Sequence, residues 1–385
     1  MRDEATPLPC TAARHGQRCR AVFRARHLRP TDRDLVRALR RRGRSVWPLT
    51  RRGANLGFVV AVDRRPPSLR DAKQRWDRSE AVFLPGILGD APMRHATAIA
   101  SSLAMFARLR RGAPFLDELD HRLRDDDELR YAGSTRDRND PREIERVFVD
   151  AVPNGVEEAT DLWAKLTWIA NDETDRSLRI RFSAGKEQLE EWMQSTELTA
   201  SWVDRFALRA FPECRAILQC KRLRTMLAAL LQRPHRLSER ILYNNAPDGG
   251  AVFHHDAEPG QLGVIYSQLE GHTAWLALGK RRLAALLVRT RAKKTVHAAM
   301  EALDANDERL WRTMNREAEF CAHLAAHGAM FVLRAGDCIA LPSQGIDDVA
   351  WHSVIALGDR PSLAHSYGLF PRGSDYPVAT DPGAV

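Results

Sequence analysis

The spacing of apolar positions changes twice along the chain, and the two changes predict three regions. Residues 1–77 have few periodic apolar positions, which is typical of an extension without its own core. Residues 78–236 contain apolar positions at helical spacing, as in "MRHATAIASSLAMFARLRRG", which ends at Gly112. From residue 237 onward, short runs rich in β-branched and aromatic residues and punctuated by Pro and Gly predict strands.

The middle region is predicted to be mainly helical and to support the strands that follow it. Its segment Gly155–Glu173 predicts a helix with one apolar side, formed by Leu162, Trp163, Leu166, Trp168 and Ile169. We expect these tryptophans to lie in the core, since core packing is the commoner use of a tryptophan at helical spacing. The stretch "SLRIRFSAG" that follows alternates as a strand does.

The last region, 237–385, predicts a strand-rich domain with one helical insert at 281–328. Strand-like runs such as "QLGVIYSQLEG" and "HTAWLAL" precede the insert, and "AMFVLRAGDCIALP", "AWHSVIALG" and "SLAHSYGLF" follow it. Seven or eight such strands favour a double-stranded β-helix, the jelly-roll barrel of cupins. The fold class is therefore predicted to be α+β, with the helical region buttressing this barrel and the insert capping the substrate.

Composition limits the cellular setting and excludes several kinds of site. The chain has 385 residues, enough to bury a substantial core, and its six cysteines show no CxxC spacing, so neither a disulfide framework nor a structural zinc site is indicated. No apolar run approaches the roughly 20 residues of a membrane span, and charges stand where a signal peptide would be apolar. We expect a soluble cytoplasmic protein.

The formal net charge of +9 comes almost wholly from arginine, much of it before residue 75. Such a basic arm could bind nucleic acid, an anionic membrane or an acidic partner. Its densest run, Arg37–Arg44, has no interleaved aromatic residues or other nucleic-acid-binding signature. A solvated arm is therefore the favoured interpretation, and nucleic-acid binding is the alternative.

The candidate chemistry lies in "AVFHHDAE", where two histidines and an aspartate interrupt a strand-like run. Alternate residues of a strand share a face, so His254 and Asp256 point the same way and His255 points to the other side. His352, at the start of another strand-like run, is the candidate third ligand. Two imidazoles and one carboxylate form the facial triad that suits Fe(II) and leaves positions open for substrate and dioxygen. An isolated H-x-D is a weak signal, since histidines satisfied by local hydrogen bonds are the ordinary alternative.

The context of these residues resembles the cupin-like Jumonji C hydroxylases, the group that includes the asparaginyl hydroxylase factor inhibiting HIF. That family places H-x-D before a Q-x-x-G turn and the last histidine in a G-D-x-x-x-x-P … W-H segment. The matching residues here are Gln268 and Gly271, then Gly336, Asp337, Pro342, Trp351 and His352. The resemblance covers about a third of the chain. It implies Fe(II) held by His254, Asp256 and His352, with 2-oxoglutarate and O2 as co-substrates.

The resemblance fails at the residue that would bind the distal carboxylate of 2-oxoglutarate. Thr273 stands where the family commonly has a lysine. Arg360 and Ser362 resemble the arginine–serine pair of other 2-oxoglutarate oxygenases, and an arginine fork matches a carboxylate. Arg360 could equally belong only to the turn "LGDRPS". Lys280 is a weaker candidate, expected at the surface.

Several further polar residues are candidates for secondary roles. Hydrogen bonds inside the barrel could come from Tyr243, Gln268 and Ser366, which could equally be structural. Contacts with the substrate could come from His272 and His365. We expect His323 and His327 to be solvated helix residues.

The sequence thus predicts an Fe(II)- and 2-oxoglutarate-dependent oxygenase, a hydroxylase of an amino-acid-like small molecule, a specialised metabolite or a peptide or protein side chain. One alternative is a metal-dependent cupin oxygenase that does not use 2-oxoglutarate. Another is a catalytically inactive cupin-fold binding or regulatory protein. Pairing of two chains into a homodimer is a further expectation from the resemblance.

Overall fold

The computed structural model describes residues 25–61, 65–172, 174–185, 197–258 and 260–372, and it mixes helices with antiparallel sheets. The strands are β1 Ala25–Leu28, β2 Val46–Arg51, β3 Ala54–Ala61, β4 Val82–Leu84, β5 Leu129–Thr135, β6 Glu143–Ala151, β7 Ala159–Trp168, β8 Leu178–Ala184, β9 His235–Asn245, β10 Gly263–Glu270, β11 His272–Gly279, β12 Met330–Arg334, β13 Cys338–Pro342, β14 Ala350–Leu357 and β15 Ser362–Pro371. The α-helices are Arg33–Arg41, Leu69–Trp76, Ala91–Arg94, Ala96–Leu109, Phe115–Leu123, Glu197–Ala210, Arg215–Leu218, Lys221–Leu231, Lys280–Arg289, Val296–Asp304, Glu308–Arg316 and Ala318–Ala326. None of these helices has the length and apolar character needed to cross a membrane.

Two sheets carry the predicted functional residues. The large sheet has nine strands in the order β4-β13-β10-β15-β9-β8-β7-β6-β5, and the small sheet has the order β12-β11-β14. Their inner faces meet where the ring of Tyr266 on β10 contacts that of Trp275 on β11, with centroids 4.6 Å apart. The predicted α+β class, with a large antiparallel sheet, is confirmed.

Helices cover the outer face of the large sheet. Leu162, Ile180 and Leu242 point outward from successive strands and join a core with Phe206 and Phe211 of the helical region. All five side chains are buried. Burial of this apolar area stabilises the extended sheet and fixes its inner face toward the small sheet.

The first region differs from the extension predicted for residues 1–77. Residues 25–61 form a three-stranded sheet in the order β1-β3-β2, together with the helix Arg33–Arg41. Leu49, Leu56 and Val59 are fully buried there. Val59 of β3 packs in the core shared with the insert helices, whereas the adjacent Val60 packs with Val36 on the other face. Because both faces are buried, the apolar positions do not show the alternation by which a strand is recognised in a sequence. Residues 1–24 lie outside the described residues, and nucleic-acid binding by the arm stays a prediction.

The helix predicted over Gly155–Glu173 is wrong, because this segment contains strand β7, paired with β6 and β8. Both faces of β7 are buried. Leu162 and Leu166 pack under the helices, while Trp163 lies on the other face beneath the Arg146 guanidinium. A strand buried on both sides has apolar residues at adjacent positions, which removes the alternation that marks a half-buried strand. Strands β4–β8 thus accompany the helices in the region predicted to be mainly helical.

Candidate metal centre

His254 and His352 are brought together by a short antiparallel bridge. The His254 N–H donates to the His352 carbonyl at 3.0 Å, and the His352 N–H donates to the His254 carbonyl at 2.8 Å. The two imidazoles consequently lie side by side, with ring centroids 4.3 Å apart. His352 is on β14 of the small sheet, so its backbone is fixed by pairing with β11 as well.

Asp256 completes a three-residue cluster. Its Oδ1 lies 3.4 Å from Nε2 of His254 and its Oδ2 lies 3.5 Å from Nε2 of His352. The candidate ligand atoms of all three residues lie within 4.8 Å of one another. Two ligand atoms that are each about 2.1 Å from one ion and at a right angle lie about 3 Å apart, so this spacing fits a single metal ion.

The backbone sets the tautomer of both histidines. Nδ1 of His254 lies 2.8 Å from the Val252 carbonyl, and Nδ1 of His352 lies 3.4 Å from the Ala350 carbonyl. A carbonyl can only accept, so each Nδ1 carries a proton and each Nε2 is the nitrogen that could bind a metal ion. This outer hydrogen bond is the usual way in which a protein orients a histidine ligand.

The charges of the cluster favour a cation. Burial alone would raise the pKa of Asp256, but the adjacent His254 and His352 hold it well below its usual range. Burial and His254 lower the pKa of His352 to about 4, so this imidazole is neutral at physiological pH. Burial lowers the pKa of His254 as well, yet the Asp256 carboxylate outweighs it and the net shift is upward. Binding of a metal ion at Nε2 would displace a proton from His254.

The cluster opens into a small cavity between the two sheets. Besides the three residues, its polar and aromatic lining includes Tyr243, Asn245, Tyr266, Trp275 and Ser366. The enclosed volume of about 20 Å³ can hold an ion or one water molecule. A 2-oxo acid is larger than this volume, so the cavity would have to widen to admit one.

The residues predicted to contact 2-oxoglutarate fall into two groups. Tyr243 lines the cavity, whereas Gln268 and Thr273 are buried behind it, where Thr273 Oγ1 donates to Gln268 Oε1 at 2.8 Å. Ser362 is buried and accepts a hydrogen bond from the cavity residue Asn245 at 3.2 Å. Arg360 is exposed in the turn before β15 and is not among the residues that line the cavity.

The other candidate side chains lie away from the cavity. The ring of His255 packs against Trp351 with centroids 5.1 Å apart, as its opposite orientation in the strand predicts. His365 is fully buried on the outer face, and its Nδ1 lies 3.2 Å from Sγ of Cys214. Lys280, expected at the surface, is instead completely buried, with its Nζ 2.9 Å from Oδ1 of Asp347. His272 packs against a tryptophan, and His323 and His327 lie on the last insert helix and directly after it.

The helical insert does not take the capping position predicted for it. Its four helices stand between β11 and β12, where the sequence places them. Phe320 and Leu324 of the insert pack with Ala274 and Leu276, on the outer face of β11. None of its described residues lines the cavity. The insert therefore supports the small sheet from behind.

Sequence reasoning missed several residues around the site. Asn245, Tyr266 and Trp275 line the cavity and follow the alternation of strands that were recognised, so facing positions could have identified them. Arg179 belongs to the recognised alternation "SLRIRFSAG", but the charged side of that strand was not connected with the site. Arg51 gave no signal, because its partners lie some 200 to 300 residues away in the chain.

Comparisons with known proteins yield low similarity only. No family model matches the chain, and no curated protein matches it. Among solved structures, the non-heme alpha ketoglutarate dependent epimerase SnoN from nogalamycin biosynthesis is 16% identical over 82% of this chain and 90% of its own, with a TM-score of 0.33. A 2OG-Fe(II) oxygenase family oxidoreductase from Burkholderia pseudomallei is 9% identical over 82% of this chain and 96% of its own, at 0.31. HygX from Streptomyces hygroscopicus, with nickel and 2-oxoglutarate bound, is 11% identical over 80% and 89%, at 0.32. These TM-scores are too low to carry an argument about this chain.

Proposed function

We propose that this protein is an Fe(II)- and 2-oxoglutarate-dependent oxygenase that hydroxylates a small molecule or a peptide side chain. The observation that carries the proposal is the convergence of His254, Asp256 and His352 on one point at the mouth of a cavity. Two neutral imidazole nitrogens and one carboxylate on one side of an ion are the ligand set of non-heme Fe(II) oxygenases.

The strand order supports the same assignment. We interpret the two sheets as a double-stranded β-helix, because successive segments alternate between them except at β11 and β12, which are both in the small sheet. Strands β9, β10, β13 and β15 lie in the large sheet, while the bridge at His254 and strands β11, β12 and β14 belong to the small one. In such a fold the cavity lies between the sheets, where these three side chains are found.

Each residue of the site would have a distinct task. His254 and His352 would bind the ion through Nε2, and the Asp256 carboxylate would supply a third ligand and one negative charge. The carboxylate occupies a position that a halogenase would leave for chloride, which favours hydroxylation. Bound Fe(II) with a 2-oxo acid would supply the activation of dioxygen. Tyr243, Tyr266 and Trp275 would keep bulk water from the reacting atoms.

A cupin oxygenase that does not use 2-oxoglutarate is the second candidate. Two observations favour it: Thr273, at the position of the family's lysine, is bonded to Gln268, and Arg360 is exposed. Among the described residues that line the cavity, histidines are the only basic side chains. This candidate shares the metal site and differs in its organic co-substrate.

Anaerobic titration of the metal-free protein with Fe(II), followed by 2-oxoglutarate, tests the proposal. We expect stoichiometric Fe(II) uptake and then the weak visible charge-transfer band of a chelated 2-oxo acid. His352→Ala should abolish both, whereas His255→Ala, which removes the neighbouring imidazole that packs on Trp351, should retain both. Iron uptake without the band would support the second candidate, and no iron uptake would exclude both oxygenases.

A further inference from the structure

Strand β8 places an arginine beside the cavity. In the antiparallel register, Arg179 on β8 is paired with Tyr243 on β9, and Thr167 on β7 is paired with Arg179. Residues directly opposite each other in an antiparallel pair share one face of the sheet. Since Tyr243 lines the cavity, Arg179 projects from the same face, one strand farther from the metal ligands.

One side of the Arg179 guanidinium is held and the other is available. Its Nε donates to Thr167 Oγ1 at 3.0 Å, which fixes the plane of the group. Among the described residues, no carboxylate forms an ion pair with Arg179. Its side chain is half-buried, so an unpaired positive charge stands in a partly dehydrated position. Such a charge is costly unless an anion compensates it.

Two other cations near this face have carboxylate partners. Arg142 donates from Nε to Asp140 at 3.2 Å, and Nζ of Lys165 lies 2.7 Å from Glu143. Burial lowers the pKa of Arg179, whereas the Asp256 carboxylate raises it. Arg179 therefore lies close enough to this proposed metal ligand for their charges to interact. Arg179 differs from Arg142 and Lys165 in having no carboxylate partner among the described residues, and we therefore consider its charge for binding a ligand.

We propose that Arg179 binds a carboxylate of the molecule that occupies the cavity. The two terminal N–H groups of a fixed guanidinium match the two oxygens of a carboxylate. The inference rests on the proposed function and deepens it by assigning an anionic group to the ligand. That carboxylate could belong to 2-oxoglutarate, whose predicted partner Arg360 is exposed, or to a carboxylate-bearing substrate.

Calorimetry on the Fe(II)-loaded protein under anaerobic conditions tests the assignment with binding as its readout. The variants are Arg179→Gln and, as the matched control, Arg176→Gln, which removes an equal charge from an exposed guanidinium over Trp168. Three probes are used. The first is 2-oxoglutarate, and the second is pyruvate, a 2-oxo acid without the distal carboxylate. The third is glutarate, added to protein that already holds Fe(II) and 2-oxoglutarate.

If Arg179 binds the co-substrate, Arg179→Gln weakens 2-oxoglutarate binding about 10- to 100-fold and leaves pyruvate binding unchanged. If it binds the substrate, 2-oxoglutarate binding is retained and glutarate binding is lost. Arg176→Gln should match the parent protein in both cases. Equal behaviour of Arg179→Gln and the parent with all three probes would overturn the assignment.

Two measurements separate this inference from the proposed function and from misfolding. Fe(II) uptake is recorded first: a parent protein that takes up no Fe(II) contradicts the proposed function, whereas normal uptake with unaltered probe binding contradicts only the role of Arg179. Should Arg179→Gln fail to fold, Thr167→Val removes only the acceptor that orients the guanidinium. It should weaken the same probe by about 3-fold, the loss expected for one modest hydrogen bond.

Discussion

The indole of Trp275 lies nearly parallel to the imidazole of His352, with ring centroids 5.3 Å apart and planes inclined by 17°. The two residues lie on adjacent strands, since His352 is paired with Ala277, two positions beyond Trp275 on β11. Trp275 is itself held, because its Nε1 donates to Thr273 Oγ1 at 3.2 Å. The imidazole of a proposed metal ligand is therefore fixed by a ring on its face as well as by the carbonyl at its Nδ1.

Trp275→Leu should weaken Fe(II) binding about 10-fold, because residues that orient a ligand typically contribute 10- to 100-fold to metal affinity. The measurement is a competition titration with a chelator of known affinity. Trp47→Leu, which removes a tryptophan packed against His272 and not against a ligand, is the control. Equal Fe(II) affinity in both variants would show that the stacking has no part in ligand orientation.

Arg51→Met should lower the free energy of unfolding by about 3 kcal/mol, the scale of breaking a buried charged hydrogen-bond network. The Arg51 guanidinium is 1% exposed and donates to Asn315 Oδ1 at 2.6 Å and to Ser353 Oγ at 2.5 Å. It also donates to the carbonyls of Ala251 and Val354, so it joins the first sheet to the two segments that carry the proposed metal ligands.

Chemical denaturation checks this loss. The control is Arg26→Met, at an exposed position of β1, for which a loss of less than about 0.5 kcal/mol is expected. Since Arg51 reaches both ligand-bearing segments, the variant should also bind Fe(II) more weakly than the control. Unchanged stability would mean that the first sheet is not fastened through Arg51.

The sequence alone predicts the cluster of His254, Asp256 and His352 but not the residues that hold these side chains in place. His254 and Asp256 are two positions apart, so strand periodicity places them on one face without any knowledge of the fold. The Arg51–Ser353 hydrogen bond joins residues 302 positions apart, and no local pattern encodes it. The strand around Trp163 was predicted wrongly for a third reason. Because both faces of β7 are buried, apolar residues stand at adjacent positions, and their spacing in the sequence resembles that of a helix.

Gly250→Ala should destabilise the protein by about 2 kcal/mol or more. Gly250 has φ of +123°, which is unfavourable for other residues, and a Cβ there would lie 2.6 Å from the Val354 carbonyl oxygen. The close approach brings the segment before His254 against β14. Gly133→Ala, where a Cβ would meet nothing within 4 Å, should change the unfolding midpoint little. A stable Gly250→Ala protein would contradict the close packing of these two segments.

His365 should make the stability of the protein depend on pH. Burial lowers the pKa of this imidazole, but Cys214 and the Glu213 carboxylate, with Oε1 3.9 Å from Nε2, outweigh burial and raise the pKa to about 9. Glu213 also accepts from Ser102 Oγ at 2.5 Å, which fixes the carboxylate. A raised pKa means that the folded state holds a proton more tightly than the unfolded chain, whose imidazole titrates near 6.5.

The stabilisation by His365 is therefore complete below about pH 6.5 and is lost as the pH rises toward 9. Denaturation by urea at pH 6.5, 7.5 and 9 should show a decrease of up to about 3 kcal/mol in the free energy of unfolding. His365→Gln should remove most of that dependence, because glutamine does not titrate. The control is His297→Gln, at an exposed position of the insert helix Val296–Asp304, and this variant should show the same dependence on pH as the parent protein. If the parent and His365→Gln lose stability equally with rising pH, the proton on His365 is not what couples folding to pH.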